Sequence, residues 1–593
     1  MDSRNSFKSY SKVDEEAEAA FRKKTRKRLI IIVTCSIVLV TIIIGAVAGT
    51  LVGSNKTKGD SISSKISSAE SIKAACNVTL YPDSCYSSMS SALKASSNNT
   101  NTNLNDPKEL LSLSLQVALN ELQRISLLPQ QIMNSQTYKN ETNDTLVGSS
   151  LLDCEALFLD AVDRVNESIS TIQLGKRSLT SGINDIRTWL STAMTDQDTC
   201  IGGLEETRRQ LILVDELRYT MTNSTEFTSN SLAIASNLQT ILEGLHIPIH
   251  RKVLGVDHDH ELVGEFPEWV NGGDRRMLQG GDLKPNLIVA KDGSGDFKTI
   301  SDAVSMIPKQ SESRFVVYVK EGVYLENVNL DQDYWNVMIY GDGMNKTIVS
   351  ASLNYVDNVP TYSSGTFIAE GRGFIAKDMG FKNTAGPQKE QAVAFRSSSD
   401  QSVFYRCSFD AYQDTLYTHS NRQFYRDCQI TGTIDFIFGN AAVVFQNCTI
   451  RPRQPMKKQF NTITAQGKTD PNQNTGISIQ RCQFTPLDNL TAPTYLGRPW
   501  KDYATTVIMQ SHIASFLDPE GWSPWDSNTD PPSTIFYGEY QNVGRGSRID
   551  KRVGWPGVRP NMTYAEAAEF AVEPFIQGSG WLPQASVMYE LEF

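Results

Sequence analysis

The chain has 593 residues, 40% apolar and 21% charged, with a formal net charge of −10. That length and composition predict two or three domains with ample core and exclude a disordered chain. The acidic balance argues against a nucleic-acid partner, which calls for a basic footprint.

Residues 1–28 form a polar tail ending in Arg22, Lys23, Lys24, Arg26, Lys27 and Arg28, and the run from Leu29 to Gly53 is almost wholly apolar and uncharged. About 20 apolar residues span a bilayer, so 29–53 predicts a single hydrophobic helix anchoring the precursor in the membrane. The basic flank places the N-terminus inside and the rest outside. The other reading is a signal peptide. Its apolar region is normally shorter, but Ala46-Val47-Ala48 has the form of a cleavage site. Both readings put everything after residue 54 in the secretory lumen. Nine cysteines and many N-x-[ST] sequons fit that oxidising route.

Residues 54–68 read as a linker. From 69 to 243 the apolar spacing is helical, as in Leu110, Leu111, Leu115, Val117, Ala118, Leu119 and Leu122, and predicts an all-α four-helix bundle. Cys76, Cys85, Cys154 and Cys200 predict two disulfides, with three connectivities open. Sequons at Asn77, Asn98, Asn140, Asn143, Asn166 and Asn223 predict glycosylation here, and Asn345, Asn447, Asn489 and Asn561 add others downstream. Asp153 and Glu155 read as charges on a solvated helix face.

Three segments of this region, Tyr81-Pro82-Asp83-Ser84-Cys85, Leu152-Asp153-Cys154 and Arg187 to Thr195 followed by Thr199-Cys200, resemble the plant invertase/pectin methylesterase inhibitor family. The resemblance implies pairing of Cys76 with Cys85 and of Cys154 with Cys200.

Residues 244–278 read as a linker holding two basic tetrads, Arg251-Lys252-Val253-Leu254 and Arg275-Arg276-Met277-Leu278, which predict sites for a processing protease. His258 and His260 have metal-like spacing but no further ligands, so no metal is expected.

Beyond 279, short β-rich runs share an ending: Phe404 to Phe409 around Cys407, Phe424 to Ile430 around Cys428, Phe445 to Ile450 around Cys448, and Ile479 to Phe484 around Cys482. A repeat of roughly 20–25 residues built from strands is a solenoid signature, here an all-β parallel β-helix. A β-sandwich fits the in-register cysteines less well. Coils stack about 4.8 Å apart, so the disulfides Cys407–Cys428 and Cys448–Cys482 are expected.

Only His419 and His512 lie in this half and no G-x-S-x-G elbow occurs, which disfavours a serine hydrolase. Carboxylates must then carry any catalysis, without a cofactor. Asp435 stands inside Gly432-Thr433-Ile434-Asp435-Phe436-Ile437-Phe438-Gly439, and Asp414 inside Ala411-Tyr412-Gln413-Asp414-Thr415-Leu416-Tyr417, about one coil earlier. Two carboxylates on adjacent coils repel, which separates their pKa values into an acid and a base or nucleophile. The pair suits a glycosidase or a lyase as well as an esterase. Gln413, and Gln391 about one coil before Asp414, could converge as oxyanion donors, which favours acyl transfer. Arg498 could pair with the nucleophile, and Trp500 and Tyr412 offer flat faces to sugars.

The segments Gly322-Val323-Tyr324-Leu325-Glu326, Gln391 to Phe395, Tyr412 to Tyr417, Gly432 to Gly439 and Leu496-Gly497-Arg498-Pro499-Trp500 resemble the plant pectin methylesterases. The resemblance implies a right-handed parallel β-helix over 279–593 that hydrolyses methyl esters of homogalacturonan, secreted to the cell wall. It implies Asp435 as nucleophile, Asp414 as proton donor, Gln391 and Gln413 as oxyanion stabilisers, and Arg498, Trp500 and Thr361 as substrate-binding or positioning residues. The helical domain would then be an intramolecular inhibitor. One departure is Ala411, where the family usually has glycine; were φ positive there, alanine would strain the turn and lower activity. A glycosidase acting on pectin and a non-catalytic wall-binding glycoprotein remain the rival classes.

Overall fold

The computed structural model describes residues 67–96, 106–135, 145–174, 179–207, 211–244, 284–526, 529–585 and 587–593, with isolated positions at 104, 262–263 and 266–267. The apolar segment 29–53, both basic tetrads, His258, His260 and the sequons Asn98, Asn140 and Asn143 lie outside the described residues. Among the described residues, no helix is long and apolar enough to cross a membrane.

The first half is helical: α1 Ser68–Cys76, α2 Pro82–Ser96, α3 Pro107–Ile125, α4 Leu128–Asn134, α5 Thr145–Leu174, α6 Leu179–Glu206, α7 Leu211–Ser236 and α8 Leu238–Gly244. Local chemistry sets two of the starts. Ser67 and Glu70 close a capping box on α1, and Asp106 accepts from Lys108 N ahead of Pro107 on α3. Helices α3, α5, α6 and α7 form the four-helix bundle, with α3 and α6 each packed against both α5 and α7. Their apolar stripes meet in one core that includes Leu111, Leu115, Leu122, Phe158, Leu190 and Leu232. Disulfides Cys76–Cys85 and Cys154–Cys200 tie α1 to α2 and α5 to α6.

The second half winds into three parallel sheets of 11, 8 and 7 strands, each strand pairing with its counterpart one coil on. This is a parallel β-helix. Residue Phe404 lies opposite Tyr425 and Tyr425 opposite Phe445. Their rings stack inside the solenoid with centroids 4.4 and 4.6 Å apart. Such in-register aromatic ladders fill a narrow core without voids.

The residue before each repeat cysteine turns the corner between two sheets in left-handed conformation: φ is 52° at Arg406, 54° at Asp427, 55° at Asn447 and 53° at Arg481. That corner explains the matching endings of the repeats. It does not produce the expected cross-links: Cys407, Cys428, Cys448 and Cys482 are all free and buried. Residues on parallel, in-register coils point their Cβ atoms the same way about 4.8 Å apart, beyond the usual 3.5–4.5 Å of a disulfide. The four thiols form one interior ladder instead of two pairs, with Cys448 Sγ accepting from Cys428 N at 3.4 Å and Cys482 Sγ from Cys448 N at 3.2 Å.

All seven sequon asparagines that are described (Asn77, Asn166, Asn223, Asn345, Asn447, Asn489 and Asn561) are exposed.

Candidate active site

The seven-stranded sheet carries the site. Strands Phe395–Ser397, Leu416–Thr418 and Ile437–Gly439 stack in register, so Arg396, Tyr417 and Phe438 form one outward row across successive coils. Tyr417 and Phe438 stack at 4.2 Å, and Trp500 packs on Phe438 at 6.1 Å. Gly439 closes its strand at φ 125°, where a Cβ would meet Thr418 O at 2.1 Å, so only glycine fits.

Asp414 and Asp435 each sit two residues before their strand, on neighbouring coils, and Asp414 N donates to Ile434 O at 3.0 Å. Both are buried, 7% and 5% exposed, and both adopt left-handed backbone, φ 63° and 50°. The same conformation turns other corners of the β-helix, so here it fixes the direction of the two side chains and does not by itself mark a site. Ala411 is not among the positive-φ residues. Its side chain therefore strains nothing, and the expected loss of activity from this departure has no structural basis.

Asp435 is held on two sides. Arg498 Nε donates to Oδ1 at 2.9 Å and Nη2 to Oδ2 at 2.5 Å, a bidentate clamp. Thr462 Oγ1 donates to Oδ1 at 2.6 Å and accepts from Asp435 N at 3.0 Å. No sequence motif singled out Thr462, which lies inside an ordinary strand. Thr462→Val keeps the shape and removes both bonds. We expect kcat to fall about tenfold with KM little changed, measured by methanol release.

Burial pushes the Asp414 carboxyl well above the usual range, and the charges of Asp435 and Glu206 push it further while Arg498 opposes them. Gln391 and Gln413 adjoin across the coils, Ala392 N donating to Gln413 O at 3.3 Å. The Gln391 amide oxygen is buried without a partner. Arg453 covers one face of Tyr412, its guanidinium carbon 4.0 Å from the ring centroid, which leaves less of that ring for a ligand.

Helix α6 lies across this sheet. Its residues Asp185, Thr188, Thr192, Thr195, Thr199 and Glu206 repeat at helical spacing and face the β-helix. Asp185 pairs with Arg422 at 2.8 Å, Thr192 donates to Asn421 at 2.9 Å, Thr195 accepts from Asn440 at 2.9 Å, and Thr199 bonds His419 at 2.9 Å. Glu206 accepts from Thr361 N at 3.2 Å and Thr361 Oγ1 at 3.0 Å, and burial pushes its carboxyl up to about 7. Asp153 of α5 accepts from Ser363 Oγ at 2.6 Å, and burial pushes it up to about 6. Asp153 is thus an interface group and not the solvated charge expected of it, because α5 docks by that face. Helical periodicity identifies a helix face but not which domain will cover it.

Two buried acids thus stand on neighbouring coils of a β-helix, and helix α6 of the bundle packs over that sheet. The Pectinesterase family model matches residues 286–579, and the Plant invertase/pectin methylesterase inhibitor model matches 70–234. Pectinesterase 3 of Phaseolus vulgaris is 52% identical over the full length of both chains, and Pectinesterase 1 of Arabidopsis thaliana 50%. The solved structure of pectin methylesterase from carrot is 49% identical, with a TM-score of 0.51, covering 53% of this chain and 99% of its own. The chain belongs to the plant pectinesterases that carry an N-terminal inhibitor-like domain, and it is a carboxylic ester hydrolase acting on pectin. The carrot protein, 99% of which aligns with about half of this chain, is thus a folded structure without a counterpart of the remainder.

Proposed function

We propose that Asp435 and Asp414 hydrolyse the methyl esters of homogalacturonan by acyl transfer, and that the bundle blocks the cleft until it is removed. The bidentate Arg498 clamp on Asp435 beside the raised carboxyl of Asp414 is the observation that carries this reading. Asp435 attacks the ester carbonyl. Amide N–H groups of Gln391 and Gln413 hold the oxyanion, and Asp414 protonates the departing methanol. Asp414 then takes a proton from water, which opens the acyl-enzyme and restores both groups. Trp500 and Thr361 contact the sugar chain. On highly methylated pectin, the residue 279–593 fragment is expected to release methanol without reducing ends. Reducing ends would mark a glycosidase instead, and neither product a binding protein.

Blocking follows from occupancy: Glu206 already holds Thr361, a substrate contact in this reading. It also depends on pH. Docking keeps Glu206 and Asp153 protonated to higher pH than ordinary carboxyls, so the bundle holds best below the ordinary carboxylate range and loosens as pH rises from about 4 toward about 6 for Asp153 and about 7 for Glu206. The activity of the intact chain relative to the fragment is expected to climb across that window; a flat ratio would contradict it.

Residues 29–53 would anchor the precursor in the secretory pathway, cleavage after Leu278 would release the enzyme to the cell wall, and the exposed sequons would carry glycans.

A further inference from the structure

We infer that Lys501 seats the free carboxylate of a galacturonate next to the ester being hydrolysed. The inference rests on the reading that the bundle covers the cleft, and it begins from the acids the bundle presents there. Asp185 meets Arg422, but Arg422 also pairs with Asp400 of the β-helix at 2.7 Å and stays neutralised if the bundle leaves. Lys501 differs. Its ion pair, at 2.9 Å, is with Asp198 of α6, and among the described residues no β-helix carboxylate is paired with it. The side chain is 24% exposed. Its ammonium lies 5.6 Å from the centroid of Trp500, which in turn packs on Phe438 in the outward row of the cleft.

Departure of the bundle leaves an ammonium without a counter-ion beside the aromatic surface of a cleft built for a polyuronate. A sugar on Trp500 would bring its C6 group to that ammonium. A free carboxylate there forms a charge-assisted bond; a methyl ester is neutral and forms none of that strength. Asp198 thus occupies the seat of a substrate carboxylate.

The test uses the 279–593 fragment, as parent, Lys501→Gln and Lys501→Arg, on fully methylated polygalacturonate and on the same polymer partly saponified. The readout is the ratio of kcat/KM on the second to that on the first. The ratio is expected to fall about fivefold in Lys501→Gln and to recover in Lys501→Arg. A ratio in Lys501→Gln equal to the parent's would overturn the inference. The masking reading fails separately, on equal activity of intact chain and fragment, and that outcome would leave the substrate ratio still readable.

Discussion

Asp435→Asn in the 279–593 fragment is expected to lower kcat by at least about 10³-fold, because an amide is a poor nucleophile at an ester. It should also lower thermal stability. Arg498 lies largely inside the cleft, with its side chain 17% exposed, and it would lose its bidentate partner. Stranding one member of a buried ion pair costs more than the pair contributes. Asp414→Asn should lose activity comparably, since no group remains to protonate methanol or activate water. Its stability should hold or rise: Asp414 is buried with its carboxyl already pushed toward the neutral form. Opposite stability changes with matching activity losses would separate the two roles. Full activity in Asp435→Asn, measured by methanol release, would exclude it as nucleophile.

Thr195→Arg in the intact, unprocessed chain is expected to raise methanol release by roughly tenfold or more, since overpacking a buried contact forces its elements apart. Thr195 is 5% exposed and accepts a hydrogen bond from Asn440 of the β-helix while donating to Ser191 O within α6. Undiminished masking in Thr195→Arg would mean that α6 is not what covers the cleft.

Much of this site was legible before any coordinates. An aspartate inside Ile-Asp-Phe-Ile-Phe requires partners, and the spacing of Gln391, Asp414 and Asp435 by about one coil follows from the same repeat that places the four cysteines. The ladder explains both what was read correctly and what was not: identical positions on stacked coils are near one another, but their side chains run parallel, which suits an aromatic stack and not a disulfide. Thr462 was illegible because a threonine in a strand is unremarkable until a carboxylate on the preceding coil reaches it. Glu206, Asp153 and Asp198 were illegible for another reason. Their meaning lies in a partner hundreds of residues away or across a domain seam, and helical periodicity is silent about docking. Ala411 shows the reverse error, a family departure that suggested strain where the backbone needs none.

The most direct measurement compares methanol release from methylated pectin by the intact chain and by the 279–593 fragment, at about pH 5 and at equal molar concentration. A cleft occupied by α6 and Glu206 predicts release from the fragment faster by on the order of 100-fold, the scale of a few desolvated contacts. Equal rates from an intact chain shown to be uncleaved would contradict it.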